Sequence, residues 1–149
     1  MSLEGWTAPA LEPELALTVG EGGTIAAIGP AIEIADVDFP PDDAGRILAG
    51  NVFHRGVVLG APDPERHDAS GIAVRVLRGG EEIAATAEPE ALTGPLAALV
   101  GVVAEAVGDE LRPGDVVIAG STVPPVAVRP GDEIRVEIDP LGALELRFQ

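Results

Sequence analysis

The sequence contains no cysteine, no lysine and no tyrosine. Without cysteine there are no disulfides, no thiolate metal ligands and no thiol nucleophile, and the redox compartment stays open. Aromatic residues amount to only 3% of the chain, so any core must be built from Val, Ile, Leu and Ala. Every one of the nine basic residues is arginine, set against 25 acids, for a formal net charge of -16 and a sequence pI of about 4.2. A chain with no basic stripe has little to neutralise phosphates, which argues against nucleic acid as a partner and equally against an anionic membrane surface. No apolar run is long enough to span a bilayer. The start, Met1-Ser2-Leu3-Glu4-Gly5, has neither the basic nor the apolar region of a secretory signal, so the expectation is a soluble, cytoplasmic protein. Small anionic substrates remain open, because one arginine or a bound cation can reverse the field inside a cleft.

What is present suffices for a folded core. With 149 residues, 46% of them hydrophobic, the chain reads as one domain over 1–149. Leu11-Glu12-Pro13-Glu14-Leu15-Ala16-Leu17 alternates with period two, which predicts a strand over about 10–19. Pro30 to Phe39 reads as a second strand closed by Pro40-Pro41-Asp42-Asp43, after a short apolar segment (Thr24 to Gly29) of open state. A strand-like stretch covers 56–60, and 61–70 reads as a polar loop. Residues 71–84 predict a hairpin turning at Gly79-Gly80. Leu96, Leu99, Val100, Val103 and Val107 recur at helical spacing between Pro95 and Gly108, the one convincing helix. The tetrapeptide Arg-Pro-Gly-Asp occurs twice, at 112–115 and 129–132, each time as type II turn chemistry leading into a strand. The pattern closes with two strands, Ile134-Val136-Ile138 and Leu144-Leu146-Phe148. Mostly β with one long helix (α+β) is the expected class.

The residues that carry chemistry are acids in apolar settings. On a strand, Glu12 and Glu14 share a face and stand roughly 7 Å apart. Glu33, in Pro30-Ala31-Ile32-Glu33-Ile34, is a third acid in similar surroundings. Bare, such a group repels itself; around a divalent cation it attracts. On local pattern alone, a solvated strand face is the alternative.

The order of Leu-Glu-Pro-Glu-Leu-Ala-Leu (11–17), Pro-Ala-Ile-Glu-Ile-Ala-Asp (30–36), Ala-Gly-Asn (49–51), Val-Val-Leu-Gly (57–60), Thr-Gly-Pro-Leu (93–96), Leu-Arg-Pro-Gly-Asp-Val-Val-Ile-Ala-Gly-Ser (111–121) and Leu-Gly-Ala-Leu (141–144) resembles the 2-keto-4-pentenoate hydratase branch of the fumarylacetoacetate hydrolase superfamily. The resemblance covers the chain from about residue 9. It implies a roll of mixed β-sheets around the active site and a Mg²⁺ or Mn²⁺ held by Glu12, Glu14 and Glu33. It also implies a 2-oxo acid or β-dicarbonyl substrate handled through its enol, with Gly120 and Ser121 near the substrate carboxylate; a plain small-residue turn after a strand over Val116 to Ala119 is the alternative for that pair.

Departures from that pattern limit the expectation. The catalytic Lys that hydratases carry in a preceding region has no counterpart, and their Asp-Asn-Ala-Ser segment reads Gly50-Asn51-Val52-Phe53, keeping only Asn51. His54 follows as a candidate general acid–base, with a surface loop histidine as the alternative. Arg55 is a candidate partner for a substrate carboxylate, or else a surface ion pair. The expected function is a metal-dependent lyase or isomerase acting on a small carboxylate or dicarbonyl, in a homo-oligomer. A metal-independent cyclase or isomerase, and a non-catalytic subunit that completes a partner, are the alternatives.

Overall fold

The computed structural model describes residues 1–38, 44–107 and 111–149. The expected strand end at Phe39, the terminator Pro40 to Asp43 and the helix stop at Gly108 lie outside the described residues.

Strand β1 (Pro9–Val19) is the centre of the first sheet. Its alternation sends Leu11, Leu15 and Leu17 to one face, where all three are fully buried, and Glu12 and Glu14 to the other. A one-turn 3₁₀ segment (Glu21–Gly23) returns the chain as β2 (Ile25–Asp36), antiparallel to β1. β2 thus begins well before Pro30, and the apolar segment of open state is its first half. Pro30 is tolerated inside it because its missing N–H falls beyond the last rung to β3 (His54–Leu59), which pairs Ala31 with Leu59; the Pro30 carbonyl still accepts from Gly60 N–H at 2.8 Å.

The opposite edge of β1 is shared by two short strands, β6 (Val116–Ile118) and β7 (Val126–Ala127). Pro13 lies between the two ladders. It has no N–H to complete a rung, and its carbonyl instead accepts from Thr122 N–H (2.8 Å) and the Thr122 hydroxyl (2.9 Å). The proline thereby opens a gap that admits the 119–125 loop against the middle of β1.

The second sheet runs β5 (Glu81–Thr86), β4 (Ala73–Arg78), β8 (Glu133–Asp139), β9 (Gly142–Arg147). All pairings among the described strands are antiparallel. Val74, Val76, Ile134, Val136 and Ile138 form its inner face and pack on Leu11, Leu15, Leu17, Ile28, Ile32 and Ile34 of the first sheet, with Leu96 and Val100 of the long helix completing the core. Burying each such side chain contributes about 1.5–3 kcal/mol, so aliphatics alone carry this aromatic-poor interior. Both Arg-Pro-Gly-Asp segments turn alike. Gly114 and Gly131 sit at φ 93° and 95°, and each Asp carboxylate (Asp115, Asp132) accepts from the N–H of the turn's own arginine at 2.7 and 3.0 Å.

The helices are α1 (Ala44–Ala49), α2 (Glu90–Thr93) and the long α3 (Leu96–Val107). The two short ones have no apolar periodicity long enough to announce them. No helix among the described residues is long and apolar enough to cross a membrane. The result is a mostly β fold with one long helix.

Candidate metal centre

The register of the β1–β2 hairpin assembles the site. Glu12 stands directly opposite Glu33, and Glu14, two residues on, is diagonal to it on the same face. Ligand oxygens from the three carboxylates all lie within 4.8 Å of one another. Their neighbours on this face are small: Ala10 and Ala16 on β1, Ala31 and Ala35 on β2, all buried. Gly29 continues the row, and a Cβ there would come within 3.1 Å of the Pro62 backbone, so a side chain would press the closely crossing 61–62 segment outward. On β3, Val57 and Leu59 flank Glu33 and Ala31 and are half-exposed.

Burial among small residues makes Glu12 and Glu14 hard to ionise. Burial, reinforced by the charge of Glu33, raises the pKa of Glu12. Glu14 is fully buried and is pushed up to about 8, first by burial, then by hydrogen bonding with Glu33, against the lowering effect of the Gly120 N–H. That N–H donates to Glu14 Oε2 at 2.8 Å. Glu14 Oε1 is buried and meets no N–H or hydroxyl donor. Its neighbour is another carboxylate, which can satisfy it only through a shared proton. Three hard oxygen donors, with one buried oxygen orphaned, are the donor set that a hard divalent ion fits.

The other expected site residues fall in different places. Gly120 touches the acid cluster through its N–H, and the Ser121 hydroxyl is turned to the Val123 carbonyl at 2.5 Å. His54 does have an orienting partner, which sequence reading did not find: its Nδ1 lies 2.6 Å from Glu33 Oε1. Asn51 is exposed at the start of a left-handed turn, with its carbonyl accepting from the His54 N–H. Arg55 is directed to Asp38 (3.3 Å) and toward the buried Asp36 (3.9 Å), so the surface ion pair is the arrangement observed. Asp36 itself accepts from the N–H groups of Thr7 and Ala8 and pins the N-terminal segment to the end of β2. His67 is exposed, beside the Ile25 carbonyl.

Residues 5–149 match the family described as fumarylacetoacetate (FAA) hydrolase, C-terminal. The chain belongs to the fumarylacetoacetate hydrolase family. It is 29% identical over 163 residues to a 4-oxalocrotonate decarboxylase from Pseudomonas sp, an alignment covering 97% of this chain and 62% of that protein. With a 2-keto-4-pentenoate hydratase from Paraburkholderia xenovorans (strain LB400) it shares 30% over 106 residues, 68% of this chain and 39% of the relative. This fumarylacetoacetate hydrolase family chain therefore spans less than two thirds of the length of either. Its fold superposes on 4-oxalocrotonate decarboxylase from Pseudomonas putida G7, complexed with magnesium and adipate, with a TM-score of 0.81 at 23% identity over 100% of this chain and 64% of that one. Among these relatives are thus a decarboxylase and a hydratase, and the solved decarboxylase structure holds magnesium and adipate.

Proposed function

We propose that Glu12, Glu14 and Glu33 bind a divalent cation, Mg²⁺ or Mn²⁺, and that the chain acts on a small 2-oxo acid or β-dicarbonyl compound by way of its enol. The observation that carries this is the buried, donorless Oε1 of Glu14 at the convergence of three carboxylates. A magnesium-bound relative of the same fold and the decarboxylase and hydratase among the curated relatives support the reading. When bound, the cation supplies Lewis acidity toward the oxygen atoms of a 2-oxo acid.

The chain's own residues prepare the rest. Glu14 is aimed by the Gly120 N–H, Glu33 by His54, and the small residues around them keep water scarce. Val57 and Leu59 offer an apolar border for the substrate's hydrocarbon portion. Gly120 and Ser121 would border its carboxylate end, by their place beside Glu14. Self-association belongs to the same reading, and sedimentation at micromolar concentration checks it.

Metal content of protein purified without chelator, for the wild type and Glu12→Ala, is the direct test. Equimolar Mg²⁺ or Mn²⁺ in the wild type, lost in the variant, is expected; a wild type that neither retains nor takes up a divalent ion removes the reading. Enolisation is read separately by proton NMR in D₂O, as metal-dependent loss of the C3 proton signal of 2-oxobutanoate.

A further inference from the structure

Between α1 and β3 the chain passes through three consecutive non-glycine residues in the left-handed region: Asn51 (φ 54°), Val52 (φ 53°) and Phe53 (φ 66°). For a β-branched valine this conformation is an outlier, and it persists only where surrounding packing over-determines it. Phe53, the last of the three, is buried, while Val52 is exposed.

The residues that follow show what the turn delivers. In the β2–β3 ladder Ile34 pairs with Gly56, and the next rung pairs Ala35 with His54, so Arg55 is the extra residue of a bulge. In an unbroken ladder Arg55 would stand opposite Ala35, on the face that carries the acids. The bulge exchanges the two. His54 is brought to Glu33 Oε1 at 2.6 Å, and the guanidinium of Arg55 is sent away to Asp38 and Asp36. An arginine on that face would compete with a cation for the carboxylates; a histidine donating one hydrogen bond does not.

We propose that His54 is a positioning residue for the metal centre. An ionised carboxylate only accepts hydrogen bonds, so Nδ1 carries the hydrogen and donates it to Glu33 Oε1. The bond fixes the rotation of the carboxylate, whose approach to Glu12 and Glu14 is otherwise opposed by like charge. The left-handed turn and the bulge are the backbone device that puts an imidazole there. This inference rests on the metal-centre reading above and adds to it a residue outside the acid trio. Partners of metal ligands set affinity, and their loss commonly weakens binding by about 10–100-fold.

The test is Mn²⁺ titration followed by electron paramagnetic resonance of the free ion, on wild type, His54→Ala, His54→Asn and His54→Gln, each checked for folding by circular dichroism. His54→Ala is expected to bind Mn²⁺ about 10–100-fold more weakly. His54→Asn, whose amide N–H sits where Nδ1 does, should recover most of that loss. His54→Gln, whose donor sits one bond further out, should not. Should His54→Ala fail to fold, the Asn and Gln variants still separate the outcomes, since a general folding role would not sort them by donor position. Equal affinity of Asn and Gln, or wild-type affinity in Ala, overturns the positioning role while leaving the metal centre intact. A wild type that binds no Mn²⁺ overturns the metal reading itself.

Discussion

Two faces of this molecule carry ionisable strand residues, and they treat charge in opposite ways. On the outer face of the second sheet, Arg75 stands opposite Glu137, Arg135 opposite Glu145 and Arg147 opposite Glu133. Each of these cross-strand couples forms an ion pair. The guanidiniums beside Glu137 lower its pKa, as expected where charge is compensated. On the acid face of the first sheet the register is equally exact in matching residue to residue, yet it sets Glu12 against Glu33 and adds Glu14 beside them. There Glu12 and Glu14 are raised, and the guanidinium of Arg55 on the neighbouring strand is directed away to Asp38 and Asp36. Compensated charge describes a solvated surface; carboxylates concentrated in small-residue surroundings are what the proposed cation would need.

The largest effect comes from breaking the uncompensated group. Glu14→Gln keeps the shape and the contact with Gly120 but removes a buried negative charge. Loss of a ligand should exceed the roughly 10–100-fold cost typical of an outer partner, so Mn²⁺ affinity is expected to fall more than 100-fold by calorimetry. The metal-free variant should at the same time melt higher than the metal-free wild type at pH 8–9, since the repulsion with Glu33 is gone. A variant that loses metal and also loses stability would mean that Glu14 is structural.

Next in size is the pH dependence of the metal-free protein. Glu14 has a pKa near 4.5 when unfolded and about 8 when folded. Between those values the folded state holds a proton that the unfolded chain has released, so stability falls as pH rises across that interval. The melting temperature without divalent ions should drop by roughly 5–10 °C from pH 5 to pH 8 in differential scanning calorimetry. Saturating Mg²⁺ should cancel or reverse the slope, because the cation needs the ionised carboxylates. A flat profile without metal would show that the acids are solvated, as on the second sheet.

Local chemistry in the sequence announces much of this, and long-range register announces almost none. The alternation of Leu11, Leu15 and Leu17 against Glu12 and Glu14, the helical spacing of Leu96 to Val107 and the Arg-Pro-Gly-Asp turns all reappear as β1, α3 and two matching turns. Each is decided by residues within a few positions of one another. The approach of Glu33 was readable as a third acid in a strand, but its place opposite Glu12 depends on how the hairpin closes through Glu21–Gly23. His54 looked partnerless because its partner is 21 residues away and is reached only through a bulge. Pro30 looked like a strand start because its permissive position, beyond the end of the β3 ladder, is a tertiary fact.

The smallest expected effect completes the comparison from the other side. Arg135 bonds Glu137 at 2.8 Å and pairs with Glu145, and its own pKa is raised by them, yet the group faces solvent. Exposed ion pairs are screened and lose side-chain entropy on forming, so their net effect on stability is small. Arg135→Gln should therefore shift the melting temperature by no more than about 2 °C, with the shift shrinking further at 0.5 M NaCl. Mn²⁺ affinity should be unchanged, because the outer face of the second sheet is separated from Glu12, Glu14 and Glu33 by the whole aliphatic core. If this substitution did weaken Mn²⁺ binding, the charge of the second sheet would be acting on the metal centre through the core. The two faces would then be one electrostatic system rather than two.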